Sequence, residues 1–411
     1  MTVIAPGHFH ASLIQKDLLP GVSDTVRVFA PAGVELDSYL ETVKSFGQRA
    51  EHPVQWVEDV YSGPDYLEKL PAARPGDFVV LAGNNRLKTR YILEAVRKGY
   101  NVLADKPMAI SGDDYAVLEE AYASAGAKGL VIMELMTERF ELLNRIAAAL
   151  SADKAFFGEW KSVRMSSTHH FYKEVAGNPL RRPAWFYDIS QQGEGIADVS
   201  THLIDQVFNA VSPGVPVASG DVVLTGASHW PTVMTGDMFR ASTGEQPFPG
   251  FLSRYVEGDK LSVLSNGKIV FSVKGVPCEV EVLWNYQAPP GTGDTSWCLF
   301  EGSCATISIV QDASTGFVRR MILAAKEEAV RDALGRLKGE FPFLETERID
   351  DGHFQILFPQ EKFVGHEECF NLVARTFLTY LDGKPMPAEE TINALSKYKL
   401  TIGATKLASG K

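Results

Sequence analysis

Residues 77–108 read DFVVLAGNNRLKTRYILEAVRKGYNVLADKPM. Asp77–Ala82 is a short apolar run rich in valine, which reads as a buried strand. Lys88–Lys98 repeats its apolar residues at helical spacing and stops at Gly99, a residue suited to the left-handed position after a helix. Asn101–Ala104 is a second apolar strand. Strand, helix, strand is the unit that builds parallel sheets, because parallel neighbours need a crossover between them.

The same alternation extends in both directions. Toward the N-terminus, Thr2–Ala5, Thr25–Phe29 and Gln55–Val60 read as strands. Helical stretches through Lys16, over Asp37–Arg49 and over Pro64–Leu70 separate them. Toward the C-terminus, Asp113–Ala125 is a helix and Leu130–Met136 a strand. This predicts a doubly wound α/β domain over residues 1–136, with ligands expected at the carboxyl ends of its strands. The pattern then changes. After a helix near Glu138–Leu150, strand-like runs dominate: Lys161–Met165, Lys260–Leu264, Lys268–Val273, Cys278–Trp284, Trp297–Glu301 and Thr306–Val310. Ser265-Asn266-Gly267 reads as a turn between two of them. Helices are expected around Ile196–Ala210, Glu327–Leu337 and Glu367–Asp382, with a short tail helix after them. Residues 137–411 thus form an α+β domain with a large, mainly antiparallel open sheet.

Composition bounds the function. The chain has 411 residues, 45% hydrophobic and 22% charged, with a formal net charge of −11 and no basic block. That balance argues against nucleic-acid binding, which needs a concentrated basic surface. No apolar run reaches the roughly 20 residues of a membrane span, and the N-terminus has no basic region followed by an apolar stretch, so no signal peptide is expected. A cytoplasmic protein is expected, with a longer exported precursor as the alternative. Cys278, Cys298, Cys304 and Cys369 have no CxxC spacing and read as isolated core thiols, with a Cys298–Cys304 hairpin pair as the alternative.

Two segments carry chemistry. Asp105-Lys106-Pro107 follows a strand directly, which puts Lys106 at the carboxyl edge of the sheet. There it can stabilise negative charge on a substrate oxygen or pass a proton; otherwise it is a surface lysine. Gln191–Asp205 carries Gly193 and Gly195 into a predicted helix on which Asp198 and His202, four apart, share a face. A carboxylate beside an imidazole orients it for proton transfer; a metal pair or a solvent-facing ion pair are the alternatives. The first strand–helix turn, Ala5-Pro6-Gly7-His8-Phe9-His10-Ala11, keeps only the middle glycine of a dinucleotide fingerprint. His8 and His10 either contact phosphate or substrate there, or cap the helix. The second strand ends at Ala30, without the acid that grips an adenosine ribose, and Glu35 and Asp37 arrive late.

Together these features resemble the Gfo/Idh/MocA family, the glucose–fructose oxidoreductase and inositol dehydrogenase group. The strand ending in Asp105-Lys106-Pro107, the glycine loop leading to Asp198 and His202, and the domain order match it over essentially the whole chain. The resemblance implies a Rossmann-type first domain and a nicotinamide cofactor, NAD with NADP as the alternative. It implies hydride transfer at a secondary alcohol of a sugar, glycoside or cyclitol, with C3 of a glycoside one candidate. His202 would be the general base, Lys106 would stabilise the alkoxide, and Asp198 would bind hydroxyls or orient the imidazole. Gly7, His8, Phe9, His10, Ala30, Gly83, Asn84, Asn85, Asp105 and Lys106 would hold the cofactor. Substrate contacts are expected from His169, His170, Lys173, Arg182 and Trp185, beside Asp198 and His202. No metal is expected, and a homo-oligomer is. Two competing functions stand beside this one: a glycoside-cleaving enzyme that recycles its cofactor in place, and a sugar- or nucleotide-binding relative without turnover.

Overall fold

The computed structural model describes residues 1–175 and 178–410. It divides into two compact units, one of residues 1–137, 190–193 and 365–398, the other of residues 138–189, 194–364 and 399–411.

The first unit holds a six-stranded parallel sheet. Its order is Val57–Ser62, Thr25–Ala30, Thr2–Ile4, Phe78–Leu81, Asn101–Asp105, Ile132–Leu135. The last three strands are buried throughout, as expected of parallel strands covered on both faces. Strand order reverses between Thr2–Ile4 and Phe78–Leu81, and a crevice opens at such a switch point. The sequence reading gave everything after residue 136 to the second domain. Contacts instead return residues 365–398 to the first unit. Helix His366–Leu381 sets Phe377 against Phe78, with ring centroids 5.4 Å apart, and Phe370 against His10 at 4.5 Å. Lys397, on helix Ala388–Ala408, donates to Glu134 Oε2 at 2.6 Å. The Tyr398 hydroxyl donates to the same carboxylate and accepts from the Met108 N–H at 2.8 Å. A buried, fully engaged carboxylate of this kind fixes one docking geometry.

In the second unit the sheet runs Val222–Thr235, Lys260–Val273, Val276–Gln287, Trp160–Tyr172, Thr295–Gly302, Thr306–Gln311, Arg320–Ala324, His353–Leu357, Glu345–Asp350. Val276–Gln287 and Trp160–Tyr172 pair in parallel, and the other neighbours pair antiparallel. Helices Leu142–Ala152 and Ser200–Val211 pack together and against the sheet.

Three expectations need correction. Ser265-Asn266-Gly267 is not a turn but the middle of the continuous strand Lys260–Val273. Asn266 is buried there; it accepts from the Trp284 N–H at 2.7 Å and donates to the Trp230 carbonyl at 3.1 Å. Gly267 is required because a Cβ would lie 2.3 Å from Ile196 Cγ1. The helix expected from Ile196 begins at Ser200, so Asp198 lies in the turn before it. Strand Val222–Thr235 has no counterpart in the sequence reading, because Gly226 and Pro231 interrupt its pattern. The register shifts at both places, and such bulges on an edge strand tolerate a proline without a ladder hydrogen bond. Among the described residues, no helix is long and apolar enough to cross a membrane.

Candidate active site

In the first unit the switch point is built by backbone packing. The N–H groups of Gly7 and His8 both donate to the Ala82 carbonyl, at 3.1 and 3.2 Å. A Cβ on Gly83 would lie 2.3 Å from the Ala5 carbonyl oxygen, so only glycine lets the two strand ends approach. One on Gly7 would meet Glu35 Oε2 at 2.8 Å, which places a carboxylate over the turn. Glu35 sits in the first turn of helix Val34–Phe46. It lies beyond the strand end where a ribose-binding acid is expected, while Ala30 at that end is buried and apolar.

His8 touches the start of the helix that follows, its Nδ1 accepting from the His10 N–H at 3.4 Å, whereas the His10 ring does not cap it. Its N-cap is Phe9, which is exposed and makes no side-chain cap bond. His10 Nδ1 instead lies 3.0 Å from Asp105 Oδ2, and His8 Nδ1 lies 3.7 Å from the same oxygen. Asp105 Oδ1 accepts from the Lys106 N–H at 2.9 Å. Burial works against the Asp105 charge. His10, by attraction and hydrogen bond, and then Lys88 nonetheless hold the carboxyl well below the usual range. Burial, followed by His10, pushes the His8 imidazole well below its ordinary value, with Lys106 and Lys88 adding to the effect. Lys88 is itself buried and donates to Asn85 Oδ1 at 2.6 Å and the Pro107 carbonyl at 3.2 Å.

The ligand atoms of His8, His10 and Asp105 lie within 4.8 Å of one another, close enough for a metal ion to bridge. The sequence reading named no such set. Its surroundings suit an anion better: the positive charges of both Lys88 and Lys106 act on His8, against a single carboxylate. Asn84 and Asn85 face the glycine loop. Asn84 Nδ2 donates to Gln191 Oε1 at 2.8 Å, and Asn85 Nδ2 donates to the Gln192 carbonyl at 2.8 Å. The Gln191 carbonyl also accepts from the N–H groups of Asn85 and Arg86, both at 3.1 Å.

In the second unit His202 does not pair with Asp198 as the helical spacing predicted. Its Nδ1 lies 2.6 Å from Glu138 Oε2, a carboxylate that sequence reading missed. Three helical positions on, Asp205 Oδ2 lies 3.0 Å from the Nε of Arg139, the residue after Glu138. Asp198 is buried, and its charge acts on Arg182. The one signal for Glu138 was its place just past the strand Ile132–Leu135.

The expected substrate residues divide. His170 Nδ1 lies 2.9 Å and His169 Nδ1 3.5 Å from the Asp294 carboxylate, to which Lys173 also donates. Burial opposes the Asp294 charge, yet His169 and Lys173 hold its carboxyl far below the usual range. Arg182 is a brace. Its Nε donates to the Phe171 carbonyl at 2.8 Å and its Nη2 to the His170 carbonyl at 3.0 Å. The guanidinium lies 4.6 Å from the Phe186 ring centroid and 5.3 Å from that of Trp284. Trp185, Phe186 and Tyr187 are buried core aromatics on the short turn Ala184–Tyr187.

The model of the family described as "Putative oxidoreductase C terminal domain" matches residues 148–409. The chain belongs to this family, of the Gfo/Idh/MocA type of oxidoreductase. A "putative oxidoreductase" from Parabacteroides merdae is 37% identical over 100% of this chain and 97% of its own, with a TM-score of 0.96. A second, from Thermotoga maritima, is 17% identical over 100% and 98%, with a TM-score of 0.65. KijD10, a 3-ketoreductase from Actinomadura kijaniata in complex with NADP and TDP-benzene, is 16% identical over 99% and 96%, at 0.59. The last two likenesses concern the fold. Among curated proteins, none matches the chain.

Proposed function

We propose that this oxidoreductase transfers hydride between a nicotinamide dinucleotide and a secondary alcohol carbon of a sugar, glycoside or cyclitol. The observation that carries the reading is the His202 ring, whose Nδ1 is occupied by a carboxylate and whose Nε2 is thereby left for a proton. KijD10, described as a 3-ketoreductase and crystallised with NADP, favours C3 as the carbon.

The residues of the first unit fit such a cofactor. The crevice lies at a strand-order reversal, Gly83 allows close backbone approach, and the lysines bias the His8–Asp105 cluster toward an anion. We assign Gly7, His8, Phe9, His10 and Ala30 to the adenosine and phosphate side, with Gly83, Asn84, Asn85, Asp105 and Lys106 to the rest. The Glu35 carboxylate over Gly7 favours a free ribose diol over a 2′-phosphate, hence NAD over NADP. When bound, the nicotinamide supplies the hydride acceptor.

In the direction of oxidation His202 Nε2 takes the hydroxyl proton. The Lys106 ammonium stabilises negative charge on the oxygen as the carbonyl forms, and Asp198 accepts hydrogen bonds from substrate hydroxyls. His169, His170 and Lys173 meet further substrate groups. Arg182 and Trp185 act from behind as packing rather than as contacts. The outward face of the second unit's sheet exposes Val223, Val233, Val270 and Trp297, which supports a homo-oligomer. Four free cysteines favour a reducing, cytoplasmic setting.

The test is to denature the purified protein, identify released nucleotide by mass spectrometry, and titrate emptied protein with NAD and NADP. Tighter NAD binding that Glu35→Gln weakens supports the reading. A protein that releases neither nucleotide and binds neither overturns it.

A further inference from the structure

We infer that Glu138 is the positioning residue of His202: its carboxylate holds the proton on Nδ1 and so keeps Nε2 as the reacting nitrogen. The inference deepens the proposed reaction and rests on His202 being its base.

Asp198 lies outside helix Ser200–Val211, and its charge acts on Arg182. The spacing that suggested an aspartate-oriented imidazole therefore has no structural counterpart. Glu138 supplies the carboxylate in its place. It lies on the short 3₁₀ turn Glu138–Phe140, which packs against helix Ser200–Val211. Its Oε2 is 2.6 Å from His202 Nδ1, with side-chain exposures of 17% and 14%, so little water competes for either group.

The contact is short without being aligned: His202 Nδ1 makes no hydrogen bond of regular geometry. Catalytic hydrogen bonds are often misaligned before substrate arrives and tighten afterwards.

The turn that carries Glu138 is itself held. Its carbonyl accepts from Asn144 Nδ2 at 2.8 Å, and Asn144 Oδ1 accepts from Arg319 Nη2 at 3.0 Å. Arg319 also pairs with Glu141. The adjacent Arg139–Asp205 ion pair, at 3.0 Å, ties the same turn to the next turn of the helix. Two consecutive residues thus grip two positions on one face of the helix, and the carboxylate cannot drift from the ring without breaking the second pair. Fixing a ring nitrogen from behind, through a partner that is itself anchored, sets both tautomer and orientation.

The consequence is specific to the ring. The neutral side chain of free histidine in water favours the proton on Nε2, the tautomer that cannot act as a base there. A carboxylate at Nδ1 reverses that preference.

The experiment reads the tautomer directly, without a substrate. Ring-¹⁵N-histidine protein is recorded above pH 8, and His202 is assigned by the signals lost in His202→Asn. In the intact protein the neutral ring should carry its proton on Nδ1. In Glu138→Leu it should shift to mainly Nε2–H, while Glu138→Asp, which keeps a carboxylate one methylene shorter, should restore Nδ1–H at least in part. Unfolding temperatures of the three proteins separate loss of the carboxylate from loss of the fold. An Nε2–H ring in the intact protein, or an Nδ1–H ring that persists in a folded Glu138→Leu variant, overturns the inference. Failure of the parent reading is seen elsewhere: His202→Ala would leave turnover unchanged while the tautomer shift still occurred.

Discussion

Two of the regions in which this molecule pairs imidazole with carboxylate do so to opposite ends. At the first turn, one carboxylate, Asp105, is approached by His8 and His10, with Lys88 and Lys106 acting on the same cluster. On helix Ser200–Val211 one imidazole, His202, meets one carboxylate, and the neighbouring Arg139 is matched by Asp205. The first region carries surplus positive charge and pulls the His8 imidazole toward neutrality. The second sets one partner against each carboxylate. Residue type alone does not separate these two regions; the local count of charges does.

The largest effect expected concerns the balanced pair. Replacing His202 by Ala should lower kcat by roughly 10²–10⁴ on the best substrate found by screening sugars, glycosides and cyclitols with NAD. Unchanged turnover would remove the distinction, leaving His202 as packing.

Next comes the surplus-charge cluster. Asp105→Asn removes the one carboxylate that holds His10 and receives the Lys106 N–H. Loss of a buried hydrogen-bonded charge should cost about 1.5–3 kcal/mol, read by denaturant unfolding. Nearly full stability would mean that His10 and Lys88 find other partners, and that the cluster is not organised around this residue.

A pH series sharpens the comparison further. The folded His8 pKa lies below its unfolded value of about 6.5, so its contribution to stability is present above that pH and lost as pH falls toward the folded value. Asp105, also depressed, adds a second loss only below about pH 4. The unfolding temperature should therefore drop between pH 7 and 5 in the intact protein and drop less in His8→Asn. Parallel curves would show that His8 titrates freely in the folded state.

How much of this was legible follows from where each signal lies along the chain. FVVL and NVLA are continuous apolar runs, and the parallel sheet could be read from them because strands buried on both faces need no alternation. Val222–Thr235 could not, since Gly226 and Pro231 are tolerated only by the bulges they occupy. Ser265-Asn266-Gly267 has a turn's composition, and what overrides it is contact with Ile196, Trp230 and Trp284, residues distant in sequence. The candidate site divides in the same way. Lys106 and His202 stand in local motifs and were found. Their partners were not: His10 meets Asp105 across 95 residues, and nothing near His202 in sequence points to Glu138. Helical spacing offered Asp198 instead, and the helix starts one turn too late for that rule to apply.

The smallest effect tests whether the second region is as rigid as the comparison requires. Cys298, on strand Thr295–Gly302, lies with its Sγ 3.9 Å from Gln206 Oε1, so helix Ser200–Val211 covers it on the side away from solvent. Burial pushes the Cys298 thiol up to about 12, and likewise that of Cys278. At pH 8 neither supplies appreciable thiolate, the species that alkylating reagents attack. Cys304 is exposed, and Cys369 is buried in the first unit. Iodoacetamide on the folded protein should therefore label Cys304 alone, as read by peptide mass spectrometry, with the other three appearing only after denaturation. Labelling of Cys298 in the folded state would mean that the helix lifts from the sheet on the timescale of the reaction. His202 would then swing with it, and a carboxylate anchored on another element could not hold its ring in one orientation.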